Sequence, residues 1–182
     1  MKEDPRIILI SNDRNRGYLY SLINGVLNSK GKYITILDVD DLFSVENTLT
    51  TVYDEVEKYD LDMLGLGATQ GILNMITHKY THTRFHNYIE TPIINQPELS
   101  TKTYSKNENG NIKRVHDAVW GYMIKRDFII KAIKEIDDKF LNIIFCHFGD
   151  YFLFFLLTKR AKTLKYIKKL IILCYCPRKS IG

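Results

Sequence analysis

Three carboxylates within four positions, Asp38, Asp40 and Asp41, close the stretch GKYITILDVDDLF at residues 31–43. Like charges packed this tightly repel and raise one another's pKa, so the cluster calls for a partner. A hard divalent cation is one, because Mg2+ and Mn2+ prefer carboxylate and water oxygens. A cation held in this way keeps open positions and can bind a diphosphate. The same residues admit a plainer use, with Asp41 capping the next helix and the others solvated in a turn. A further carboxylate, Asp150, lies just before the apolar run YFLFFLL. At the N-terminus of a helix the dipole would favour its ionised form. It could act there as a general base or only as a helix cap.

The elements around these groups can be read from periodicity. RIILI at 6–10 reads as a short buried strand and SNDRNRG as a turn. Leu19, Leu22, Ile23, Val26 and Leu27 then recur at the spacing of an amphipathic helix, which ends near SKG. KYITIL is a β-branched strand. Ser44 can cap a helix over about 45–59, and LDMLGLGA is a further strand. Strand and helix alternating in this way imply a parallel α/β sheet with right-handed crossovers. Its ligands would collect beyond the carboxyl ends of the strands, where the acidic cluster falls. Residues 70–115 are less regular and read as extended segments and a long loop, with a hairpin through ENGN. AVWGYMI reads as a strand, RDFIIKAIKEI as a helix, and a second helix runs from near Phe148 to about Ala161. The tail LKYIKKLIILCYC fits strand or helix.

The 182 residues suit one domain, 1–182, with a sizeable core. The net charge of +5 is unevenly spread: residues 151–182 hold eight Lys or Arg and no Asp or Glu. Such an end can meet nucleic acid, anionic lipid or phosphates, or be a solvated face. The run Lys159, Arg160, Lys162, Lys165, Lys168 and Lys169 has no groove- or base-reading motif beside it, so no specific nucleic-acid partner is expected. Cys146, Cys174 and Cys176 are sparse and odd in number, which fits reduced thiols and not the ligand set of zinc. No signal peptide and no transmembrane span is read; the expected location is cytoplasmic, with a membrane surface within reach of the basic end.

NRGYLYSLINGVLNSKGKYITILDVDDLF resembles the centre of family 2 glycosyltransferases, which read Asn-x-Gly, then a helix ending in Lys-Gly-x-Tyr-Ile, then Leu-Asp-x-Asp-Asp. Asn15, Gly17, Gly25, Gly31, Tyr33, Asp38, Asp40 and Asp41 match in order and spacing. AVWGYMIKRDFI, HFGDYFLF and CPRKSI resemble later segments of the same family. The resemblance implies a GT-A-like (Rossmann-like) αβα sandwich with a mostly parallel sheet. Residue 1 aligns with the family's third strand, so the first nucleotide-binding βαβ portion is expected to be missing and a sheet edge left open. A homodimer is one way to cover such an edge.

The implied activity is transfer of a sugar from a nucleotide-diphospho-sugar to an acceptor hydroxyl on a saccharide, lipid or protein, metal-dependent and inverting. Asp38 and Asp40 would hold Mn2+ or Mg2+, and Asp38, Asp40, Asp41, Asn15 and Gly17 would bind the donor. Asp150 would be the general base. Trp120, Gly121, Asp117 and His147 would form the substrate pocket, although Trp120 serves equally as a core aromatic. Two positions depart from the family pattern: Leu22 stands where the family often has an Arg, and Gly149-Asp150 stands where it has an acidic pair. The alternative is a non-catalytic glycosyltransferase remnant acting as a binding or assembly subunit. An aspartate-nucleophile phosphatase also uses Asp-x-Asp after a strand, but places Thr or Val where Leu42 stands here.

Overall fold

The computed structural model describes residues 4–39, 41–43, 46–73, 80–86, 90–102, 119–141, 143 and 149–175; for 68–73, 80–86, 102 and 168–175 it describes the backbone alone. The chain enters α1 (Tyr18–Asn28) through a turn that needs glycine. Gly17 sits at φ 81° and donates its N–H to Asn15 Oδ1 at 2.9 Å, a backbone region open to glycine at little cost. The expected stripe of α1 is its buried face: Leu19, Leu22, Ile23 and Val26. Ser29 stops the helix by donating both its N–H and its hydroxyl to the Val26 carbonyl.

After α1 come β1 (Tyr33–Thr35), β2 (Asp41–Phe43), α2 (Thr48–Tyr59), β3 (Met63–Leu73) and β4 (Tyr80–His86). Then follow β5 (Ile94–Asn95), α3 (Glu98–Lys102), a 3-10 turn at Val119–Gly121, β6 (Tyr122–Lys125), α4 (Arg126–Ile133), α5 (Asp138–Leu141), α6 (Gly149–Arg160) and β7 (Thr163–Tyr175). The sheet runs β1-β6-β3-β7-β2, with β4 added to β3 and β5 to β7. β3 and β7 pair in parallel, while β6 is antiparallel to both β1 and β3. Strands β1, β3 and β7 therefore point the same way. Their carboxyl ends share one edge with the amino end of β6.

Alternation along the strands splits the core into two layers, as a two-residue side-chain period requires. Met63, Tyr122, Ile124, Leu164 and Tyr166 pack with α1, α4 and α6 on one face. Leu64, Leu66, Met123 and Ile167 pack with Val52 and Val56 of α2 on the other. This is an αβα sandwich.

Several expectations change. Residues 6–10 form no strand: Ile7, Ile8 and Ile10 are exposed and Leu9 is 90 % exposed. A strand forms by pairing, and among the described residues no strand lies beside this segment. Among the described residues, β1 lies at one end of the strand order and β2 at the other. Asp41 lies in a strand, its backbone pairing in β2 opposite Cys174 of β7. α2 begins at Thr48 with Asn47 before it, later than the 45 expected, and Ser44 lies outside the described residues. The irregular stretch after residue 70 contains β4, which pairs with the far half of β3; the expected ENGN hairpin lies outside the described residues. The ambiguous tail is the long strand β7.

The basic run is partly paired with acidic residues of the fold. Lys165 is buried and ion-paired with Glu55, and Arg160 pairs with Glu135. No helix among the described residues is long and apolar enough to cross a membrane.

Candidate active site

The strand directions bring the candidate residues to one edge. Asp38 follows the carboxyl end of β1 and is half-buried. A turn then carries the chain to β2, with the Asp41 N–H donating to the Asp38 carbonyl at 3.0 Å. α1 precedes β1 and packs against the sheet, so its first turn, with Tyr18, stands at this edge. α6 precedes β7, and Asp150 lies in its first turn. α1 and α6 pack against each other.

Tyr18 ties these pieces together. Its Oη lies 3.4 Å from Asp38 Oδ1. Burial pushes the phenol above its ordinary range, and the negative charges of Asp38, Asp150 and Asp41 push it further. The hydroxyl is therefore protonated at neutral pH and donates. Sequence reasoning passed over Tyr18; its place beside the glycine of the Asn15–Gly17 turn was the signal that could have found it.

A groove of about 620 Å³ opens between α1 and β1. Leu22, Gly25, Val26 and Ile34 line its length, and Tyr18 and Asp38 close its acidic end. Gly25 keeps one wall low: a Cβ there would meet nothing within 4 Å. Nearby, burial raises the Tyr33 phenol above its ordinary range, and the negative charge of Glu57 adds to it. An apolar cleft with carboxylates at one end suits a ligand that has a flat apolar part and a polar part reached through a cation or hydrogen-bond donors.

The other expected site residues divide. Asn15 and Gly17 shape the turn into α1. Gly121 is buried in the 3-10 turn leading into β6, which packs against α6. The side chain of Trp120 is half-buried against the α2-side core, as a core aromatic would be. Asp40, Asp117 and His147 lie outside the described residues, as do Cys146 and Cys176. Among the described residues no group of three or more His, Cys, Asp or Glu side chains is placed to hold a metal. Carboxylate oxygens from Asp38 and Asp41 are nonetheless the donor type a hard cation takes, and Mg2+ binds through one or two carboxylates with water completing its shell.

Comparison with known proteins agrees with this geometry. The model of the family described as Glycosyl transferase family 2 matches residues 1–133. Glycosyltransferase GlyG of Streptococcus pneumoniae serotype 4 (strain ATCC BAA-334 / TIGR4) is 25 % identical over 150 residues, covering 82 % of this chain and 44 % of that protein. The crystal structure of S. aureus TarS 1–349 superposes with a TM-score of 0.60 at 9 % identity, covering 90 % of this chain and 42 % of that one. TarS with UDP-GlcNAc gives 0.52 at 12 % identity, covering 87 % and 38 %. The chain thus spans less than half the length of these relatives. Similarity to TarS at this identity concerns the fold, which is the GT-A type.

Proposed function

The chain belongs to glycosyl transferase family 2, and from that premise we propose that it transfers a sugar from a nucleotide-diphospho-sugar to an acceptor hydroxyl. The observation that carries this is the placement of Asp38 at the carboxyl end of β1, 3.4 Å from the Tyr18 hydroxyl at the end of the α1–β1 groove, with Asp150 in the first turn of α6, which packs on α1. The complexes of TarS with UDP and with UDP-GlcNAc favour a uridine nucleotide as the first donor to try.

In this proposal the groove takes the nucleoside and its acidic end faces the diphosphate. Asp38 and Asp40 hold Mn2+ or Mg2+, and Asp41 and the Asn15–Gly17 turn complete the donor site. A bound cation supplies Lewis-acid neutralisation of charge on the departing diphosphate. Asp150 accepts the proton of the acceptor hydroxyl as its oxygen attacks the anomeric carbon. The bond from that carbon to the diphosphate oxygen breaks as the new one forms, and the nucleoside diphosphate leaves. One displacement from the opposite face inverts the anomeric centre. Gly121 and Trp120, with Asp117 and His147, flank the acceptor in this scheme; the acceptor is a saccharide, lipid or protein hydroxyl.

A second possibility is a non-catalytic binding or assembly subunit. The place of β1 at one end of the strand order and the exposed apolar residues 7–10 favour it, because sheet edges and apolar segments invite another chain, including a second copy. Calorimetry with UDP and UDP-GlcNAc, with and without Mn2+, followed by donor hydrolysis and transfer assays, separates the two. Mn2+-dependent binding with turnover supports the transferase; binding without turnover under any acceptor supports the subunit. No nucleotide-sugar binding at all rejects the proposed donor site.

A further inference from the structure

Gly25 sits in the interior of α1, where glycine is among the least favourable residues because it loses the most backbone freedom on folding. Two reasons usually account for a helical glycine, and neither applies here. Its backbone is helical, without the positive φ that Gly17 takes at the start of the same helix. Nor does a neighbouring element press against it, since a Cβ there would meet nothing within 4 Å. Alanine would fit this place and strengthen the helix. The glycine therefore answers to something other than the packing of the described residues.

The space in front of it is the α1–β1 groove. Tyr18, Leu22, Gly25 and Ser29 recur along one face of α1, and all four line the groove. Gly25 thus lies midway along the helix wall, beside apolar Leu22 and Val26, and Ile34 lines the groove from the strand side. With no Cβ in the way, a flat group can rest on the helix backbone itself, about 3.5–4 Å from it. A methyl at this place would hold such a group off. The two serines of this wall turn their protons to the helix: Ser29 donates its hydroxyl to the Val26 carbonyl at 2.6 Å, and Ser21 to the Gly17 carbonyl at 2.9 Å. This wall therefore offers apolar contact with the face of a ring.

We propose that Gly25 is the specificity-determining residue of the groove: it admits a planar ring, of the nucleobase class, lying face-on against the backbone of α1 beside Leu22 and Val26. The proposal rests on the reading of this groove as the nucleoside site given above. It adds which wall the base meets and why that wall is bare. The ring is selected because it is thin, and the helix gives up some of its own stability to let it approach.

The test is calorimetric titration of UDP, with Mn2+ present, into the parent chain, Gly25→Ala and Gly25→Leu, with thermal melting of each. Inorganic pyrophosphate, which has no base, is titrated alongside. Gly25→Ala is expected to melt about 2–4 °C higher than the parent, because alanine favours the helix and meets no obstacle. It should bind UDP about tenfold more weakly, the lower end of the range for a one-carbon change in an apolar pocket, and pyrophosphate as the parent does. Gly25→Leu should abolish UDP binding. A more stable chain that binds its ligand less well separates a ligand contact from a packing glycine. Lower melting of Gly25→Ala would make the glycine a requirement of the fold and overturn the proposal. So would an equal loss for UDP and pyrophosphate. Parent-like UDP affinity in Gly25→Ala alongside a weakened Gly25→Leu overturns the close contact at Gly25 and leaves the groove standing as the nucleoside site. If the parent binds no UDP, or Gly25→Leu binds it as the parent does, the nucleoside reading of the groove itself fails and Gly25 loses its role with it.

Discussion

The hydroxyls of Tyr122 and Tyr166 meet at 2.9 Å in the core, across Gly65. Gly65 lies on β3 with Tyr122 opposite it on β6 and Tyr166 opposite it on β7. A Cβ on Gly65 would fall 2.2 Å from Cδ1 of Tyr166. Tyr166 cannot swing aside, since its hydroxyl contacts Tyr122, whose ring in turn packs on Phe154 with centroids 5.1 Å apart. The glycine is thus a packing requirement of the sheet centre, as a close approach to a strand often is. Gly65→Ala is expected to cost about 1–3 kcal/mol, the usual range for overpacking. Urea unfolding measures it; a midpoint equal to the parent's would show that the aromatic pair yields freely.

Lys165 points from β7 into the α2 layer. Its side chain is 11 % exposed, paired with Glu55, and its Nζ lies 4.3 Å from the centre of the Tyr59 ring. Glu55 is the more exposed partner. Removing the acid strands a cation in a nearly dry place, whereas removing the base leaves a carboxylate that water can reach. Glu55→Gln is therefore expected to destabilise more than Lys165→Met, by about 1–3 kcal/mol, below the cost of breaking a fully buried pair. Lys165→Met can come close to neutral. The reverse order in urea unfolding would mean that the methylenes of Lys165, not its charge, matter at this place.

Acid sensitivity has an exposed contributor at the end of α2. Asp60 takes the left-handed conformation that ends the helix, φ 47°, and accepts a hydrogen bond from Lys125 Nζ at 2.6 Å. That bond, and the charge of Lys125, hold the Asp60 carboxyl below its ordinary value. A depressed carboxylate contributes stability that is fully present above the unfolded pKa, about 4, and is lost as pH falls through the lower folded value. Asn also tolerates the left-handed position, so Asp60→Asn removes the titration with the cap geometry intact. The variant should be slightly less stable than the parent at neutral pH, and the gap should close below about pH 4. A gap that stays constant from neutral to acid pH would assign the effect to backbone conformation instead.

The parts of the fold legible in the sequence are those set by local periodicity. The stripe Leu19, Leu22, Ile23, Val26 defined α1, and the run after Asp150 defined α6. The errors lie where distant pairing decides. RIILI has the composition of a strand, yet no described strand pairs with it. Asp41 stands in a strand only because β7, far along the chain, pairs with its backbone. β4 is rich in Thr and His, without the alternation that marks a half-buried strand, and forms by extending a hairpin from β3. Of the candidate site, Asp38 and Asp150 stand out in the sequence because carboxylates beside apolar runs call for a reason. Tyr18, one of twelve tyrosines, carried only the faint signal of its place beside Gly17, and the helix geometry is what brings it to Asp38.

Asp38 and Asp150 belong to the two elements that meet at α1, yet they should fail in different ways. Asp38 belongs to the proposed donor site, so Asp38→Asn is expected to weaken Mn2+-dependent nucleotide binding. Asp150 sits in the first turn of α6, where the helix dipole favours its ionised form by roughly 0.3–1 kcal/mol. An ionised Asp is a weak base toward a sugar hydroxyl, so its value lies in position and in accepting the proton late in the transition state. If its only task were to stabilise the start of α6, Asn would serve nearly as well. Asp150→Asn should therefore melt near the parent and bind the donor with parent affinity. Its transfer should slow by at least about a hundredfold, within the range for loss of a general base. Loss of a transition-state contact lowers kcat and kcat/KM together and leaves ground-state binding alone. Calorimetry and single-turnover transfer on the same samples read both quantities. Transfer at the parent rate would reject Asp150 as the base, and donor binding lost along with turnover would move Asp150 into the donor site beside Asp38.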